Sequence, residues 1–510
     1  MQLGFVIDHT RCIGCHACTV ACKSENDVPL GDYRTWVKYT EEGTFPDVRR
    51  SFAVLRCNQC TDAPCVSICP VTALEKLQNG IVDLDQEICI GCKSCMHACP
   101  YDALYLNEQT GAAEKCHFCA HRTEMGLAPA CAVVCPTEAI IPGDFDDSES
   151  VVSRMVRDFN LSVRKPEAET SPNVYYRDVA QSGIDPGLSN KSGGYIWSNP
   201  QGGPQMDAQT FEALDRRASG KPDQARTVYD VPRKQLWGSK ITDYLFTKSL
   251  AGGILPVALV VNLLNGTQAE MGLMPAAASM IALCICLLLL VFDLKRPKLF
   301  YTIMTRPNWS SWLAKGSFVI LAYQILLAGY LALGLFTEGG ASAQLFVAPT
   351  LFLGGFTACY TAWLFGQAKG RVLWMRRHLW AHLLVQASLA GSAFLAIVHS
   401  WFGWGEGVSQ SLTTIFLVSL VLHMAFTMLE ERCAPKGREE EYERVSKVLT
   451  RGPFARQHWV GGVVVGIVIP VVLLLLPFSA SMPLAGLCAL IGLRMIEDAF
   501  VRAAQAIPIS

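Results

Sequence analysis

The sequence carries almost no net charge, because 43 Lys and Arg residues nearly balance 44 Asp and Glu residues. Binding to nucleic acid through overall electrostatics needs an excess of positive charge, so we expect no nucleic-acid partner. The sequence also lacks a dinucleotide-binding fingerprint and a nucleophile triad. Its first residues, MQLGFVIDHTRC, have neither the basic start nor the apolar run of a secretory signal peptide. These absences argue against several enzyme classes and against a small secreted protein.

Cysteine, in contrast, is abundant and ordered, and it dominates the first third of the chain. Sixteen of the 21 cysteines lie in four groups of four, numbered one to four along the chain: Cys12, Cys15, Cys18, Cys22; Cys57, Cys60, Cys65, Cys69; Cys89, Cys92, Cys95, Cys99; Cys116, Cys119, Cys131, Cys135. Groups one and three have the C-x2-C-x2-C-x3-C spacing of a bacterial ferredoxin. In that pattern three thiolates bind one iron–sulfur cluster and the fourth binds a neighbouring cluster. Groups two and four widen one gap each, which inserts a loop without losing a ligand.

Two other chemistries also use many cysteines. Eight disulfides would suit a small secreted chain, which this N-terminus does not indicate. Zinc ribbons use C-x2-C pairs, but they rarely repeat C-x2-C-x2-C-x3-C followed by proline. The spacing therefore favours iron–sulfur clusters.

Residues 1–145 resemble the four-cluster ferredoxin subunit of the DMSO reductase, polysulfide reductase and formate dehydrogenase complexes. The stretches that carry the resemblance are DHTRCIGCHACTVACKSEN and ICIGCKSCMHACPYDAL. The resemblance implies that ligands cross over between groups one and four and between groups two and three. The four implied ligand sets are Cys12, Cys15, Cys18 and Cys135; Cys116, Cys119, Cys131 and Cys22; Cys57, Cys60, Cys65 and Cys99; and Cys89, Cys92, Cys95 and Cys69. Since no ligand is replaced, we expect four [4Fe–4S] clusters in an α+β, ferredoxin-like double module.

Between the cysteine groups, segments such as 52–55 and 80–83 predict short strands, and we expect a short helix after each fourth cysteine. Residues 146–240 are rich in Asp, Ser, Asn, Gly and Pro, which is typical of an extended connector, with one predicted helix at 208–217. This segment is predicted either to be a plain linker or to be a wrap that docks a partner subunit or the membrane domain.

Residues 241–510 are dominated by apolar runs, and the chain as a whole is 51% hydrophobic. Eight runs are each close to the roughly 20 residues that cross a bilayer: 246–264, 274–292, 318–336, 345–365, 379–402, 411–429, 460–478 and 484–501. The prediction is an all-α bundle of eight transmembrane helices, of which the first is weakest because Lys248 lies near its start.

Lys and Arg residues are missing from the loops after runs one, three, five and seven and are frequent in the loops after runs two, four and six. The positive-inside rule then places both termini and the cysteine-rich domain in the cytoplasm, in a bacterial inner membrane. Many relatives of the family named above instead face the periplasm, which is the alternative location.

The second half resembles the NrfD/polysulfide-reductase membrane anchors, which bind quinone. Residues 243–253, 292–312 and 360–374 carry this resemblance. Ionisable and polar groups in or near the apolar runs are candidates for a quinone site: Asp243, Lys248, Asp293, Gln367, Lys369, His382, His423 and Arg494. Snorkelling charges and interhelical pairs are the structural alternative. His382 and His423 could also ligate one haem, but anchors of this type carry none, so no haem is expected.

Together the two resemblances imply an electron-transfer and quinone-binding subunit, using menaquinone or ubiquinone. The substrate site would lie on a separate cytoplasmic chain with a molybdenum or tungsten bis-pterin (bis-MGD) cofactor. By analogy we expect oxidation of sulfite or formate. Alternatives are a quinol-linked reductase of polysulfide, thiosulfate or a sulfoxide, and a redox-linked proton-translocating module.

Overall fold

The computed structural model describes most of the chain: residues 1–191, 225–231, 235–266, 271–336, 341–476 and 480–510. The helix predicted at 208–217 lies outside these described residues. Within them, an N-terminal domain of strands and short helices is followed by a bundle of long helices.

The N-terminal domain contains small sheets rather than one large one. Its strands are β1 (Leu3–Asp8), β2 (Thr35–Thr44), β3 (Asp47–Arg56), β4 (Leu74–Lys76), β5 (Val82–Leu84), β6 (Leu104–Leu106), β7 (Ala113–Lys115), β8 (Ile140–Asp144), β9 (Val174–Arg177), β10 (Asn190–Lys191) and β11 (Arg226–Tyr229). Among the described residues they form sheets in the order β8-β1-β9 and β10-β11-β2-β3, together with the two hairpins β4-β5 and β6-β7.

The segment predicted as a connector belongs to this domain. Strand β9 pairs in parallel with β1, with Phe5 opposite Val174, and β11 pairs with β2. Val152, near the start of helix α6 (Val151–Asp158), packs on Val6. A domain boundary at residue 145 would therefore separate strands of one sheet, and the described part of 146–240 contributes strands to the cysteine-rich domain.

The helices of this domain are short because each is confined to a cysteine group or a turn. Besides α6 they are α1 (Ala17–Glu25), α2 (Pro64–Ile68), α3 (Ser94–Ala98), α4 (Ala120–Thr123), α5 (Ala130–Val133) and α7 (Gln181–Ile184), with 3-10 turns at Pro166–Ala168 and Pro186–Leu188. The prediction of a helix after each fourth cysteine was wrong. Helix α1 contains the fourth cysteine of its group, and α2 and α3 end directly before theirs, because the turn between the third and fourth ligand is itself helical.

Seven helices in the described part of the second half are long and apolar enough to cross a membrane. We number them as spans one to seven: Ser239–Asn265, Met274–Asp293, Trp312–Phe336, Leu345–Gln367, Leu379–Phe402, Glu406–Arg432 and Gln457–Leu475. Span one begins before residue 246, so Lys248 lies inside the helix and is completely buried. Span seven begins as a π-helix over Gln457–Val468.

An eighth long helix, the C-terminal helix (Ser481–Ala503), contains Arg494, Glu497, Asp498 and Arg502 and is therefore less apolar than the seven spans. Shorter helices at Thr302–Thr305 and Glu439–Thr450, with 3-10 turns at Pro297–Leu299, Val372–Met375 and Glu430–Arg432, connect the long ones. Span four is interrupted at Tyr360, between helices Ala341–Cys359 and Thr361–Gln367.

Glycines allow the long helices to approach closely. A Cβ on Gly253 of span one would lie 1.9 Å from the backbone oxygen of Ala387 in span five, and one on Gly391 would lie 2.3 Å from Gly253. Gly466 and Gly492 meet in the same way between span seven and the C-terminal helix. Such contacts bring backbones together where hydrophobic burial cannot drive association, as is usual inside a bilayer.

Candidate functional site

The four C-x2-C loops share one backbone conformation. The residue before the second cysteine of each group is Gly14, Gln59, Gly91 or Phe118, and all four have a positive φ, between 45° and 70°. Glycine adopts this left-handed conformation without strain, whereas Gln59 and Phe118 do so at a cost of about 1 kcal/mol or more. The same loop conformation therefore occurs four times, including at Gln59 and Phe118, where it is strained.

The structure brings the sixteen cysteines together in four spatial sets, which cross over between the sequence groups. Set one is Cys12, Cys15, Cys18 and Cys135; set two is Cys22, Cys116, Cys119 and Cys131; set three is Cys57, Cys60, Cys65 and Cys99; set four is Cys69, Cys89, Cys92 and Cys95. Sets two and three each line a cavity of their own. In set one, Cys12 is electrostatically close to Cys15 and Cys135, and in set four Cys95 is close to the other three.

The four sets lie in a row. Cys18 of set one neighbours Cys131 of set two, Cys116 of set two neighbours Cys57 of set three, and Cys65 of set three neighbours Cys95 of set four. At the first end of the row Cys15 is exposed to solvent, whereas the cysteines of sets three and four are buried or half-buried. The row therefore runs from the protein surface inward.

The alternative chemistries do not fit this arrangement. All 21 cysteines are free, so there is no disulfide framework. Among the described residues, no group of three or more His, Cys, Asp or Glu side chains converges tightly enough to hold a single metal ion, as a zinc ribbon would require. Sets two and three instead each surround a space, which suits a larger group than a single ion.

The donor chemistry fits an anionic cluster bound by thiolates. Burial raises the pKa of Cys18 and Cys99 to about 11, so these thiols are protonated unless a metal displaces the proton. Yet Arg56 is completely buried beside set two and donates to Cys131 Sγ at 3.3 Å, with no carboxylate partner in the described part of the chain. Because a buried cation needs a counter-charge, this arginine indicates negative charge in the cavity.

Set four lies against the long-helix half of the protein. Asn308 donates to the backbone oxygen of Cys69 at 2.8 Å, and Arg296 donates to that of Cys89 at 3.1 Å. Asp293, at the end of span two, forms a buried ion pair of 2.8 Å with Lys93, which lies between Cys92 and Cys95. The innermost set therefore borders the membrane half directly.

Three of the predicted quinone residues lie at or near this junction. Besides Asp293, Gln367 accepts from the Trp312 N–H at 2.9 Å and donates to Ser310 O. Trp312 begins span three, and Ser310 lies in the preceding loop, which also contains Asn308. Lys369 donates to the backbone oxygens of Ala168 and Glu169, at 3.0 and 3.3 Å. The contacts of Asp293 and Lys369 join the two halves, whereas those of Gln367 lie within the membrane half.

The other predicted residues lie within the bundle. Asp243 and Arg494 pair at 2.7 Å between span one and the C-terminal helix. Lys248 donates to Ala358 O at 2.5 Å and to Thr361 Oγ1 at 2.6 Å, beside the break in span four.

His382 and His423 meet inside the bundle: His382 Nε2 and His423 Nδ1 are 2.9 Å apart, and Arg376 lies 2.9 Å from the other nitrogen of His382. A bis-histidine iron site would place the two nitrogens about 4 Å apart, on opposite sides of the metal. In this arrangement the two rings are hydrogen-bonded neighbours and leave no space for an iron between them.

Two sequence families match the chain. The family described as "Polysulphide reductase, NrfD" matches residues 227–508, which is more than half of the chain. The chain belongs to the NrfD family. A "4Fe-4S dicluster domain" matches residues 48–145, ahead of the NrfD domain.

Curated relatives agree with this assignment. The chain is 37% identical to the arsenate respiratory reductase iron-sulfur subunit of Shewanella sp. strain ANA-3, over 34% of this chain and 96% of the relative. Identity to a tetrathionate reductase subunit of Salmonella typhimurium is 41%, over 38% and 80%. Identity to a polysulfide reductase chain of Wolinella succinogenes is 38%, over 36% and 98%. The protein is thus an iron–sulfur domain fused to an NrfD-type membrane anchor, similar to the iron–sulfur subunits of reductase complexes.

The NrfD domain also contains a polar chamber that the sequence did not reveal. It is lined by Arg376, His382, Gln386, Glu430, His458 and Glu497, together with apolar side chains. Both carboxylate oxygens of Glu497, Gln386 Oε1 and His458 Nδ1 are buried without a hydrogen-bond partner. These residues come from five separate stretches of the chain, so sequence spacing could not show that they meet.

Between set four and this chamber lies a cluster of aromatic rings. The His97 ring, between Cys95 and Cys99, lies 4.2 Å from the Trp237 ring, which stacks on Trp374 at 5.2 Å. Phe365 lies 5.0 Å from Trp374, and it borders the chamber. Trp237 lies in the segment predicted as a connector, so its place in the sequence did not indicate that it lies between His97 and Trp374.

Proposed function

We propose that this chain carries electrons between a quinone in the membrane and a separate catalytic chain, through four [4Fe–4S] clusters. The observation that carries the proposal is the row of four cysteine sets, which begins at exposed Cys15 and ends at set four against the NrfD domain. If each cysteine set holds a cluster, a row with one end at the surface and the other at the membrane half has the form of an electron path.

In this proposal each set holds one [4Fe–4S] cluster, which supplies one-electron transfer when bound. The chain's own contribution is to fix the thiolates and to offer hydrogen bonds to them. The backbone N–H groups of Ala139 and Ala113 donate to Cys135 Sγ at 3.2 Å and to Cys89 Sγ at 3.5 Å. Burial excludes water from sets two to four, which protects thiolate–iron bonds from hydrolysis.

The quinone, menaquinone or ubiquinone, would bind in the NrfD domain on the side that faces set four. Lys248 and His382 are the strongest of the predicted residues for this role, because Lys248 is buried beside the broken span four and His382 borders the polar chamber. The aromatic cluster around Trp237 and Trp374 fills the space between set four and this region.

The catalytic partner would dock around set one. Large apolar side chains are exposed there: Ile13, Val20, Val133 and Val134, at 58%, 64%, 63% and 41%. All four lie in or beside helices α1 and α5 or next to a set-one cysteine. An exposed apolar patch around the outermost redox centre suits a protein partner whose own cofactor must come close. We expect that partner to be a molybdenum or tungsten bis-MGD enzyme.

The relatives named above belong to arsenate, tetrathionate and polysulfide reductases. We therefore favour quinol-linked reduction of a sulfur or arsenic compound by the partner. The oxidation of sulfite or formate expected above has no support among the three relatives.

We further propose eight membrane crossings, with the polar C-terminal helix as the last, in a bacterial inner membrane. The cysteine-rich domain would face the cytoplasm. The basic loops at Lys295, Arg296 and Lys369 support this orientation, although the same residues also contact the cysteine-rich domain.

Anaerobic purification of the chain with its native partner tests the main proposal. We expect iron and acid-labile sulfide in the ratio of four cubanes per chain, a partner that contains molybdenum or tungsten, and reduction of the clusters by quinol in membranes. Absence of acid-labile sulfide, or clusters that quinol never reduces, would refute it.

A second candidate function is proton movement through the NrfD domain during quinone chemistry. The chamber supports it, since Glu497 and His458 are buried polar groups with unpartnered atoms that face one space. Proteoliposomes that contain the complex and an internal pH dye provide the test. Quinol-driven acidification or alkalinisation lost in Glu497→Gln, with electron transfer retained, would support this function, and no pH change in the wild type would refute it.

A further inference from the structure

Two buried cations occupy equivalent positions in the cysteine-rich domain. Arg56 is the last residue of β3 and directly precedes Cys57, the first cysteine of group two. Lys115 is the last residue of β7 and directly precedes Cys116, the first cysteine of group four. Group one also has a cation before its first cysteine, Arg11, but that side chain is 52% exposed, so the buried cations in this position are those of groups two and four.

Each cation lies at a junction between successive sets. Arg56 donates to Cys131 Sγ of set two at 3.3 Å, lines the set-two cavity and is electrostatically close to Cys18 of set one. Lys115 donates to the backbone oxygen of Cys116 in set two at 2.8 Å and is close to Cys57 of set three. Arg56 therefore bridges sets one and two, and Lys115 bridges sets two and three.

Neither cation is neutralised by a carboxylate. Arg56 is 0% and Lys115 3% exposed. Within the described ranges neither forms an ion pair, and two of the three guanidinium nitrogens of Arg56 have no hydrogen-bond partner. Arg34, which also lines the set-two cavity, differs because it pairs with Glu114 at 3.0 Å. A buried charge left without a counter-charge is strongly destabilising, so the thiolate sets themselves must act as counter-charges.

We propose that Arg56 and Lys115 are fixed positive charges that raise the reduction potentials of the clusters in sets one, two and three. The inference rests on the proposed cluster assignment. Reduction adds one negative charge to a cluster, and a nearby cation in a low-dielectric interior stabilises that added charge. Since each cation lies between two sets, it stabilises the reduced form of the cluster in either set.

A redox titration monitored by EPR tests this in the full-length chain, purified anaerobically with its partner. The charge-removing variants are Arg56→Gln and Lys115→Gln, and the charge-retaining variants are Arg56→Lys and Lys115→Arg. Arg50→Gln is the matched control, because Arg50 lies on the same strand with its side chain 55% exposed. Iron content is measured for every variant before titration.

We expect Arg56→Gln to lower the midpoint potentials of the clusters in sets one and two, and Lys115→Gln to lower those in sets two and three. The charge-retaining variants should stay closer to the wild type, and Arg50→Gln should not differ from it. If a glutamine variant loses iron from the adjoining sets only, while its charge-retaining counterpart keeps full iron, the counter-charge role is also supported.

Unchanged midpoint potentials in both glutamine variants at full iron content would overturn the inference. Equal behaviour of the glutamine and charge-retaining variants, including equal loss of iron, would overturn it as well, because packing and not charge would then matter. Absence of acid-labile sulfide from the wild type would instead refute the proposed function, which keeps the two failures distinct.

Discussion

At the scale of single residues, the spacing of the cysteines predicted the sixteen that converge, but it could not reveal the cations beside them. An Arg or Lys before a cysteine at a strand end reads as an ordinary surface residue. A cation precedes the first cysteine of groups one, two and four, at Arg11, Arg56 and Lys115, and the sequence does not distinguish the exposed Arg11 from the two that are buried. The fold then buries both, because β3 and β7 end inside the domain.

The crossover of ligands can be tested with single serines. Cys22 belongs to group one by sequence and to set two in space, whereas Cys18 belongs to both group one and set one. We expect Cys22→Ser to alter the same EPR signal as Cys119→Ser, and Cys18→Ser to alter the same signal as Cys135→Ser. Cys22→Ser and Cys18→Ser acting on one common signal would contradict the crossover.

His9 should make the domain sensitive to acid. Burial lowers its pKa to about 4, and its Nε2 accepts from the Val54 N–H at 3.1 Å. The unfolded chain binds this proton near pH 6.5 and the folded chain only near pH 4, so stability falls as pH drops through that window. Between pH 7 and 5, wild type should lose about 2 kcal/mol that His9→Gln does not lose.

The measurement is the denaturant midpoint for loss of cluster absorbance at the two pH values. His121→Gln, at a half-exposed histidine on the same domain, is the control and should retain the wild-type pH dependence. An identical pH dependence in His9→Gln and wild type would show that His9 is not the responsible group.

At the scale of elements, hydropathy located the long helices to within about five residues, apart from the starts of spans one and three, which lie seven and six residues earlier than predicted. It could not show which helical faces meet, because partners such as Gly253 and Gly391 lie more than a hundred residues apart. The polar chamber stayed hidden for the same reason.

Packing of spans one and five should depend on their glycine contact. Gly253→Val would force a side chain into the backbone of span five, and overpacking of this kind costs about 3 kcal/mol or more. Gly366→Ala is the control, since no atom lies within 4 Å of its added Cβ. We expect a lower melting temperature in detergent for Gly253→Val only, and equal melting temperatures would argue against the close approach.

The junction between the two halves should depend on Asp293. Removing its charge in Asp293→Asn leaves Lys93 buried and unpaired, at a cost of about 3–5 kcal/mol. We expect slower reduction of the clusters by quinol but normal reduction by dithionite, since the path into set four is disturbed and the clusters are not. Asp158→Asn, at an exposed ion pair, should change neither rate. Normal quinol rates in Asp293→Asn would show that the pair does not maintain the junction.

At the scale of the whole molecule, the sequence predicted an iron–sulfur part followed by a membrane part, and the comparisons confirm that order. It did not predict how the parts meet. The contacts of Asn308, Arg296 and Lys369 with the cysteine-rich domain are made mostly to backbone oxygens. Backbone acceptors occur at every residue, so no pairing of residue types could have signalled this junction.

The proposed orientation predicts where two loops lie. A biotin-acceptor peptide inserted after Lys436 should be labelled by cytoplasmic biotin ligase, and one inserted after Gly405 should not. Both residues are exposed, and they lie at opposite ends of span six. The reverse labelling pattern would place the cysteine-rich domain outside the cytoplasm.

The covering of set four by the membrane half also restricts the order in which the protein matures. Lys295 and Arg296 cover the loop that carries Cys89, and Asn308 covers the turn that carries Cys69. If set four holds a cluster, as proposed, its iron and sulfide must reach these cysteines before this cover is in place. On this proposal, the cysteine-rich domain receives its clusters before it packs against the inserted helices.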